Sequence, residues 1–323
     1  MTSALKAAVI GASGIGKHHA KWLDRLDCDV VAFAGSNAES VRDTADMLED
    51  SFGITARGYT DVGELLEKKK PDAVNICSPP DLHYEHFMAA ATAGCHILCE
   101  KPLTWDENKS PDTLLDEARQ MAQAGPDDAV RAVNTQYVAG REPYLKLCRQ
   151  IGSEPGPAES FFMQIDSRHT NKVYERVWID LASHPLSVML GFCGGGEIIP
   201  GSEELLVQRE QATAHFDFQP VEGPVCECEI VVRAWRTEGD LVRRFGINDC
   251  LVDYEGRNDE NGVYAAFLSA GDTEIRADDF MYQSIRQFLD TIRGGADEPL
   301  APIGDGYLNE QMQFAILDAA RRV

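Results

Sequence analysis

Over its first 133 residues this chain alternates short apolar runs with longer amphipathic stretches, and few folds accept that rhythm. Residues 5–10, 29–34, 56–59, 73–77, 96–99 and 129–133 read as strands. Residues 14–26, 38–49, 62–69, 82–93 and 112–124 read as the helices between them. Strands that are apolar throughout need cover on both faces, and a helix after each strand supplies it. The pattern therefore predicts a doubly wound parallel sheet, an α/β domain over residues 1–133.

From about residue 157 the rhythm changes. Cys226, Cys228, Ile230, Val232 and Ala234 alternate with Glu227, Glu229, Val231, Arg233 and Trp235, the period of a strand with two unlike faces. Similar strands are expected at 160–167, 212–218, 241–247, 263–268 and 273–277. Strands in unbroken succession favour an open, mostly antiparallel sheet, here in an α+β domain over residues 134–323. Amphipathic helices at 281–292 and 307–321 close the chain and are free to pack back on the first domain.

With 323 residues the chain can fill two cores. No apolar run approaches the ~20 residues of a membrane helix. The start leads within a few residues into a strand, without the segments of a signal peptide. Nine scattered cysteines without a Cys-x-x-Cys pair fit a reducing cytoplasm better than a disulfide framework or a zinc site. The net charge of −23, from 30 basic and 53 acidic side chains, repels polyanions. That field argues against nucleic acid and anionic membranes as partners. It also means that a phosphorylated cofactor needs local help, from backbone N–H groups and a few cations.

Four places carry chemistry. Gly11-Ala12-Ser13-Gly14-Ile15-Gly16 joins the first strand to the first helix, where a dinucleotide turn belongs. There glycines allow a tight turn and close approach of backbone to a pyrophosphate on the helix N-terminus. Ser13 stands at the middle glycine and can still meet phosphate with its hydroxyl. The second strand ends in Ala34-Gly35-Ser36-Asn37, without the acid that would bind ribose hydroxyls of NAD. Ser36, with Arg42 one turn on, tilts the expectation toward NADP, with NAD the alternative.

Glu100-Lys101-Pro102 closes the fifth strand, and the carboxyl end of a strand is where such sheets bind ligands. Asp180 and His184 are four residues apart and share a face if their segment is helical. A carboxylate beside an imidazole makes a general base near neutral pH, although buried structural pairs look the same in sequence. His83 and His86 lack a third ligand, and His18, His19, His96, His169 and His215 show no spacing for a metal. No metal site is expected.

These stretches resemble the Gfo/Idh/MocA family, the glucose–fructose oxidoreductase and inositol dehydrogenase relatives. The resemblance is carried by residues 9–20, Ser78-Pro79-Pro80-Asp81-Leu82-His83, residues 94–103, and residues 287–295 with Pro299-Leu300. It implies a Rossmann domain followed by an open antiparallel sheet bearing a sugar site. The expected cofactor contacts are Gly11, Ser13, Gly14, Ile15, Gly16, Ser36, Arg42, Ser78, Pro79, His83, Glu100 and Lys101. By similarity Lys101, Asp180 and His184 are catalytic, and Tyr137, Arg168 and Trp178 are the candidate substrate contacts. Family members mostly act on a hydroxyl of a sugar, inositol or sugar nucleotide, and often dimerise through the exposed face of the sheet.

The chain departs from the family pattern at Ser13, at Glu175-Arg176-Val177-Trp178 in place of a glycine-rich run, and at Ser187 in place of an acid. The segment Asn134-Thr135-Gln136-Tyr137 also lacks the family's usual arginine. The expected function is a cytoplasmic NADP- or NAD-dependent oxidoreductase acting on a secondary alcohol of a sugar or polyol, as a homodimer or homotetramer. Redox-assisted glycoside cleavage and a non-catalytic dinucleotide sensor are the rival readings.

Overall fold

The computed structural model describes residues 4–168, 172–235 and 241–323. His169 lies outside them. The chain divides into two units, Met1–Asn134 with Ser284–Tyr307, and Thr135–Gln283 with Leu308–Val323.

In the first unit every apolar run of the sequence becomes a strand: β1 (Lys6–Ile10), β2 (Asp29–Ala34), β3 (Arg57–Tyr59), β4 (Ala73–Ile76), β5 (His96–Glu100) and β6 (Arg131–Asn134). All pair in parallel, in the order β3-β2-β1-β4-β5-β6. The helices between them are α1 (Gly16–Arg25), α2 (Ala38–Phe52), α3 (Val62–Lys69), α4 (His83–Thr92) and α5 (Pro111–Gln123). Ile10, Val74, Ile76, Ile97 and Cys99 from the sheet pack with Phe87, Ala90, Ala118 and Met121 from α4 and α5. Each large side chain buried this way contributes roughly 1.5–3 kcal/mol. The strand order reverses direction between β1 and β4, which opens a crevice at the carboxyl ends of those strands.

Side chains cap three of the helices between these strands. Asn37 accepts from the N–H groups of Glu39 and Ser40 at α2, Asp61 from Glu64 at α3, and Ser110 from Thr113 at α5. Helix α1 has no side-chain cap at its start. In its first turn the N–H groups of Lys17 and His18 meet the Gly14 and Ile15 carbonyls at 3.4 and 2.9 Å.

The second unit begins with a short 3-10 turn, Gln136–Gly140, and continues through α6 (Arg141–Gln150), β7 (Ser160–Arg168), α7 (Glu175–Leu181) and α8 (Ser183–Cys193). Strands β8 (Gly196–Ile198), β9 (Glu204–Val207), β10 (Gln211–Pro220), β11 (Cys226–Trp235), β12 (Arg243–Ile247), β13 (Cys250–Asn258), β14 (Tyr264–Ala270) and β15 (Thr273–Asp278) follow. Helices α9 (Phe280–Ile292) and α10 (Ile303–Asp318) and strand β16 (Ala320–Arg322) end the chain. Among the described residues the sheet runs β15-β14-β13-β12-β7-β11-β10-β9-β16, with β8 beside β10. It is antiparallel except where β7 meets β11 and β9 meets β16. One face is apolar, through Phe161, Met163, Ile165, Cys228, Ile230, Val232, Phe245, Ile247 and Val252. Cys226 and Cys228 lie in that core, as their pattern implied.

Strand β13 and helix α6 were not legible in the sequence. In β13, Asp253, Glu255, Gly256 and Arg257 hide the alternation of Val252 and Tyr254. Gly256 is there because a Cβ would stand 2.1 Å from the Tyr264 hydroxyl. Helix α6 is tied to β13 by a disulfide between Cys148 and Cys250, and by the Tyr144 hydroxyl, which donates to the Cys250 carbonyl at 2.8 Å. The disulfide partners are 102 residues apart, so only the fold brings them together.

Candidate active site

At the carboxyl end of β1 the glycine turn has two positions that admit no side chain. Gly11 has φ +86°, and a Cβ there would lie 2.6 Å from both the Cys77 carbonyl oxygen and the Ser78 nitrogen. A Cβ on Gly16 would lie 2.4 Å from the Gly11 carbonyl oxygen. Gly14 faces open space, and Ser13 beside it is exposed. Turn and uncapped α1 together form a cradle of backbone N–H groups, the chemistry that accepts a pyrophosphate. Ile15, 43% exposed at the start of α1, offers an apolar surface beside it. The residues present fit a dinucleotide.

Past β2, Ser36 is exposed, and the Asn37 amide reaches its hydroxyl at 3.3 Å. Asn37, Ser40 and Thr44 line a groove with Ser13, together with the acids Glu39 and Asp43. Arg42 is exposed on the same helix and does not line that groove.

Lys101 directly follows β5, half-buried, and its bond to Pro102 is cis. Behind it lies a buried polar network. The Glu100 carboxylate meets His19 Nε2 at 2.9 Å and accepts from the Asn134 amide at 2.6 Å and the Lys101 N–H at 3.2 Å. The other ring nitrogen of His19 meets the Asn75 amide at 2.9 Å, and Ser284 donates to Asn134 at 2.8 Å. Burial alone would raise the carboxyl pKa. The bond and charge of His19, the Asn134 bond and the Lys101 charge outweigh it and hold the group down at about 2. Glu100 therefore stays ionised and anchors the strand end from which Lys101 departs. His19, Asn75, Asn134 and Ser284 were not expected in this role. The one sequence signal is that His19 falls one turn beyond Gly16, on the inner face of α1.

His83 corrects an expectation. It is 1% exposed, with ring nitrogens 2.9 Å from the Pro102 carbonyl and 2.8 Å from the Ser78 carbonyl. Burial lowers its pKa, and the bonds to the two carbonyls work against that shift. It offers no surface to a cofactor and instead ties the loop after β4 to the loop after β5. The Ser78 hydroxyl is engaged by His86 Nδ1 at 2.9 Å, while Pro79 is exposed.

In the second unit Asp180 ends α7 and His184 begins α8. Ala182 between them keeps a helical backbone, φ −64° and ψ −26°, so both residues belong to nearly continuous turns. Asp180 forms an ion pair with Lys172, a residue the sequence did not single out. His184 is 8% exposed, and the Tyr137 ring meets it edge-on at 4.8 Å. Burial foremost raises the Tyr137 pKa, so the phenol stays protonated and can donate. From α10, the Asn309 amide donates to the Ser183 carbonyl and Ser187 hydroxyl at 2.8 Å, and the Gln313 amide donates to the Ile179 carbonyl at 2.8 Å. These bonds hold the junction that carries His184.

Of the other expected substrate contacts, one is buried and one is exposed. Trp178 is fully buried, its indole N–H donating to the Gln313 carbonyl at 3.0 Å, which makes it a packing residue. Arg168 is exposed at the end of β7, where the strand alternation turns it away from Met163 and Ile165, and it lines a cavity that also includes Gln164, Arg233, Arg243, Arg244 and Tyr254. Among the described residues no group of three or more His, Cys, Asp or Glu could hold a metal ion, and no helix is long and apolar enough to cross a membrane.

Comparison with known proteins agrees with this geometry. Residues 5–125 match the model of the GFO_IDH_MocA oxidoreductase family, NAD-binding Rossmann fold. The chain is 33% identical over 124 residues to D-glucoside 3-dehydrogenase of Escherichia coli, covering 38% of this chain and 34% of that protein. It is 32% identical over 120 residues to myo-inositol 2-dehydrogenase of Thermotoga maritima, covering 34% and 35%. These matches span about a third of each relative's length. The fold of UDP-N-acetylglucosamine 3-dehydrogenase from Acidithiobacillus ferrooxidans superposes with a TM-score of 0.70 at 20% identity, covering 98% of both chains. A parallel sheet in Rossmann order, a sterically required glycine turn and a match over residues 5–125 make the first unit similar to the NAD-binding Rossmann domain of the GFO_IDH_MocA oxidoreductase family.

Proposed function

We propose that the protein transfers hydride between a nicotinamide dinucleotide and a secondary alcohol of a sugar, polyol or sugar derivative. The observation that carries this reading is a lysine at the carboxyl end of β5, in the same sheet whose β1 ends in the dinucleotide cradle. When bound, the nicotinamide supplies the hydride donor or acceptor. The backbone from Gly11 to Gly16 holds the pyrophosphate. Lys101 hydrogen-bonds the reacting oxygen and stabilises its developing negative charge. His184 takes the hydroxyl proton in the oxidation direction, and Asp180, ion-paired with Lys172, lies one helical turn before it. Tyr137 packs against that imidazole and donates from its phenol. Similarity to a glucoside dehydrogenase and an inositol dehydrogenase supports a polyol-like substrate.

The test is to mix the protein with NADP or NAD and a panel of sugars and inositols, and to follow reduced nicotinamide by absorbance. Turnover of at least one compound is the expected result. Tight dinucleotide binding with no hydride transfer on any compound would overturn the reading in favour of a sensor. Glycoside release without net cofactor reduction would favour redox-assisted cleavage.

For the cofactor, we read NADP ahead of NAD. Support comes from the absence of an acid between Ala34 and Asn37 and from the hydroxyls of Ser36 and Ser40 at the start of α2. Glu39 and Asp43 in the same groove temper that preference. Ser36→Asp is expected to shift the ratio of kcat/KM values toward NAD by about 10- to 100-fold. That is roughly the 1–3 kcal/mol of one hydrogen bond to a charged group exchanged for repulsion. An unchanged ratio would place the ribose away from Ser36.

A further inference from the structure

Arg243 brings a cation into the aromatic cluster around His184. It is the first residue of β12 and pairs in register with Ile165, so its side chain leaves the sheet on the apolar face shared by Phe245 and Ile247. Its guanidinium carbon lies 5.8 Å from the centre of the Tyr254 ring. Tyr254 meets Tyr137 edge-on at 5.5 Å, and Tyr137 meets His184 at 4.8 Å. Three contacts thus lead from the guanidinium to the imidazole, all within the second unit.

Among the described residues no carboxylate is recorded in an ion pair with Arg243. Its Nε is buried and has no hydrogen-bond partner among the described residues. Tyr137, Tyr254 and Tyr264 feel its charge, yet burial foremost raises all three phenols, so none is an anion. Asp279, whose charge reaches Tyr254 and Tyr264, spends one carboxylate oxygen on the N–H groups of Met281 and Tyr282 at the start of α9. The neighbouring Arg244, on the opposite face, is satisfied differently: it holds both oxygens of Asp253 at 2.8 and 2.9 Å. In a chain with 53 acids and 30 bases, a half-buried guanidinium with an unmet Nε on the His184 face is a site awaiting an anion. Arginine keeps its charge, and its planar fork matches the two oxygens of a carboxylate or phosphate.

We propose that Arg243 binds an anionic group of the substrate, so that the natural substrate is an acidic sugar or polyol derivative rather than a neutral one. This deepens the reading above and rests on its assignment of His184 to the substrate side. A carboxylate and a phosphate share this recognition chemistry, and the experiment separates them.

The experiment measures kcat and KM for matched sets: a neutral hexose, its uronic acid and its terminal phosphate, each with NADP and NAD. The expected result is a kcat/KM at least about 100-fold higher for one acidic member than for the neutral one. The arm that wins identifies carboxylate or phosphate. Arg243→Gln is expected to reduce kcat/KM for the acidic member at least tenfold more than for the neutral one, mainly through KM, and Arg243→Lys to restore part of it. Equal turnover of neutral and acidic members, or equal losses on both in Arg243→Gln, overturns the inference and leaves the oxidoreductase reading standing. If no compound is turned over, calorimetry with the uronic acid and with inorganic phosphate decides. Binding that is lost in Arg243→Gln supports the anion site, whereas binding that is absent or equal in both proteins overturns it.

Discussion

Lys101→Ala is expected to lower kcat/KM by about 10²- to 10⁴-fold while leaving dinucleotide affinity intact. The magnitude follows from removing a charged donor aimed at an oxygen that becomes negative in the transition state. Cofactor affinity is spared because the pyrophosphate cradle is backbone, built from Gly11 to Gly16 at the end of a different strand. Steady-state kinetics and a titration followed by nicotinamide fluorescence separate the two quantities. Lys101→Arg keeps charge but changes donor geometry and is expected to fall between wild type and Ala. Turnover within about threefold of wild type in Lys101→Ala would remove this residue from the chemistry. The pH profile then divides labour between the two candidates. If His184 takes the proton, His184→Ala removes the near-neutral limb of kcat/KM, and Lys101→Ala leaves that limb in place.

Glu100→Ala is expected to destabilise the protein by about 3–5 kcal/mol, as does removal of one partner from other buried pairs. It strips His19 and Asn134 of a shared acceptor in a network with almost no access to water. The same carboxylate makes stability depend on acid. Its folded pKa is about 2 against an ordinary value of 4.5, so its contribution is fully present above about 4.5. As pH falls from there toward about 2, roughly 3 kcal/mol is lost. Urea unfolding of wild type and Glu100→Gln across that window checks the sign. The variant should be the less stable at neutral pH, and its stability should fall less steeply as acid is added. Parallel pH curves for the two proteins would mean that Glu100 does not carry the linkage.

The first unit was readable because its evidence is local. Strand and helix periods, the turn at Gly11 and Gly16, and the lysine after β5 each lie within a few residues of the feature they specify. Much of the second unit was not readable in this way. Strand β13 disguises its buried face with charge and glycine, and α6 is held by a disulfide to a partner far along the chain. Trp178 has a plausible residue type for sugar contact, yet it is packed away. Residue type announces possible chemistry. Burial and strand face decide whether that chemistry is offered to a ligand.

By itself the sequence determined the Rossmann unit, the strand-end lysine and the class of cofactor, because these depend on periodicity and on where a strand stops. Tertiary structure alone decided which polar groups became a network and which became a surface. His19 reaches Glu100 across 81 positions, Asn134 across 34, and Tyr137 reaches His184 from a separate turn of chain. Such contacts form because buried polar groups must find partners wherever the fold brings them, and no local pattern records that meeting.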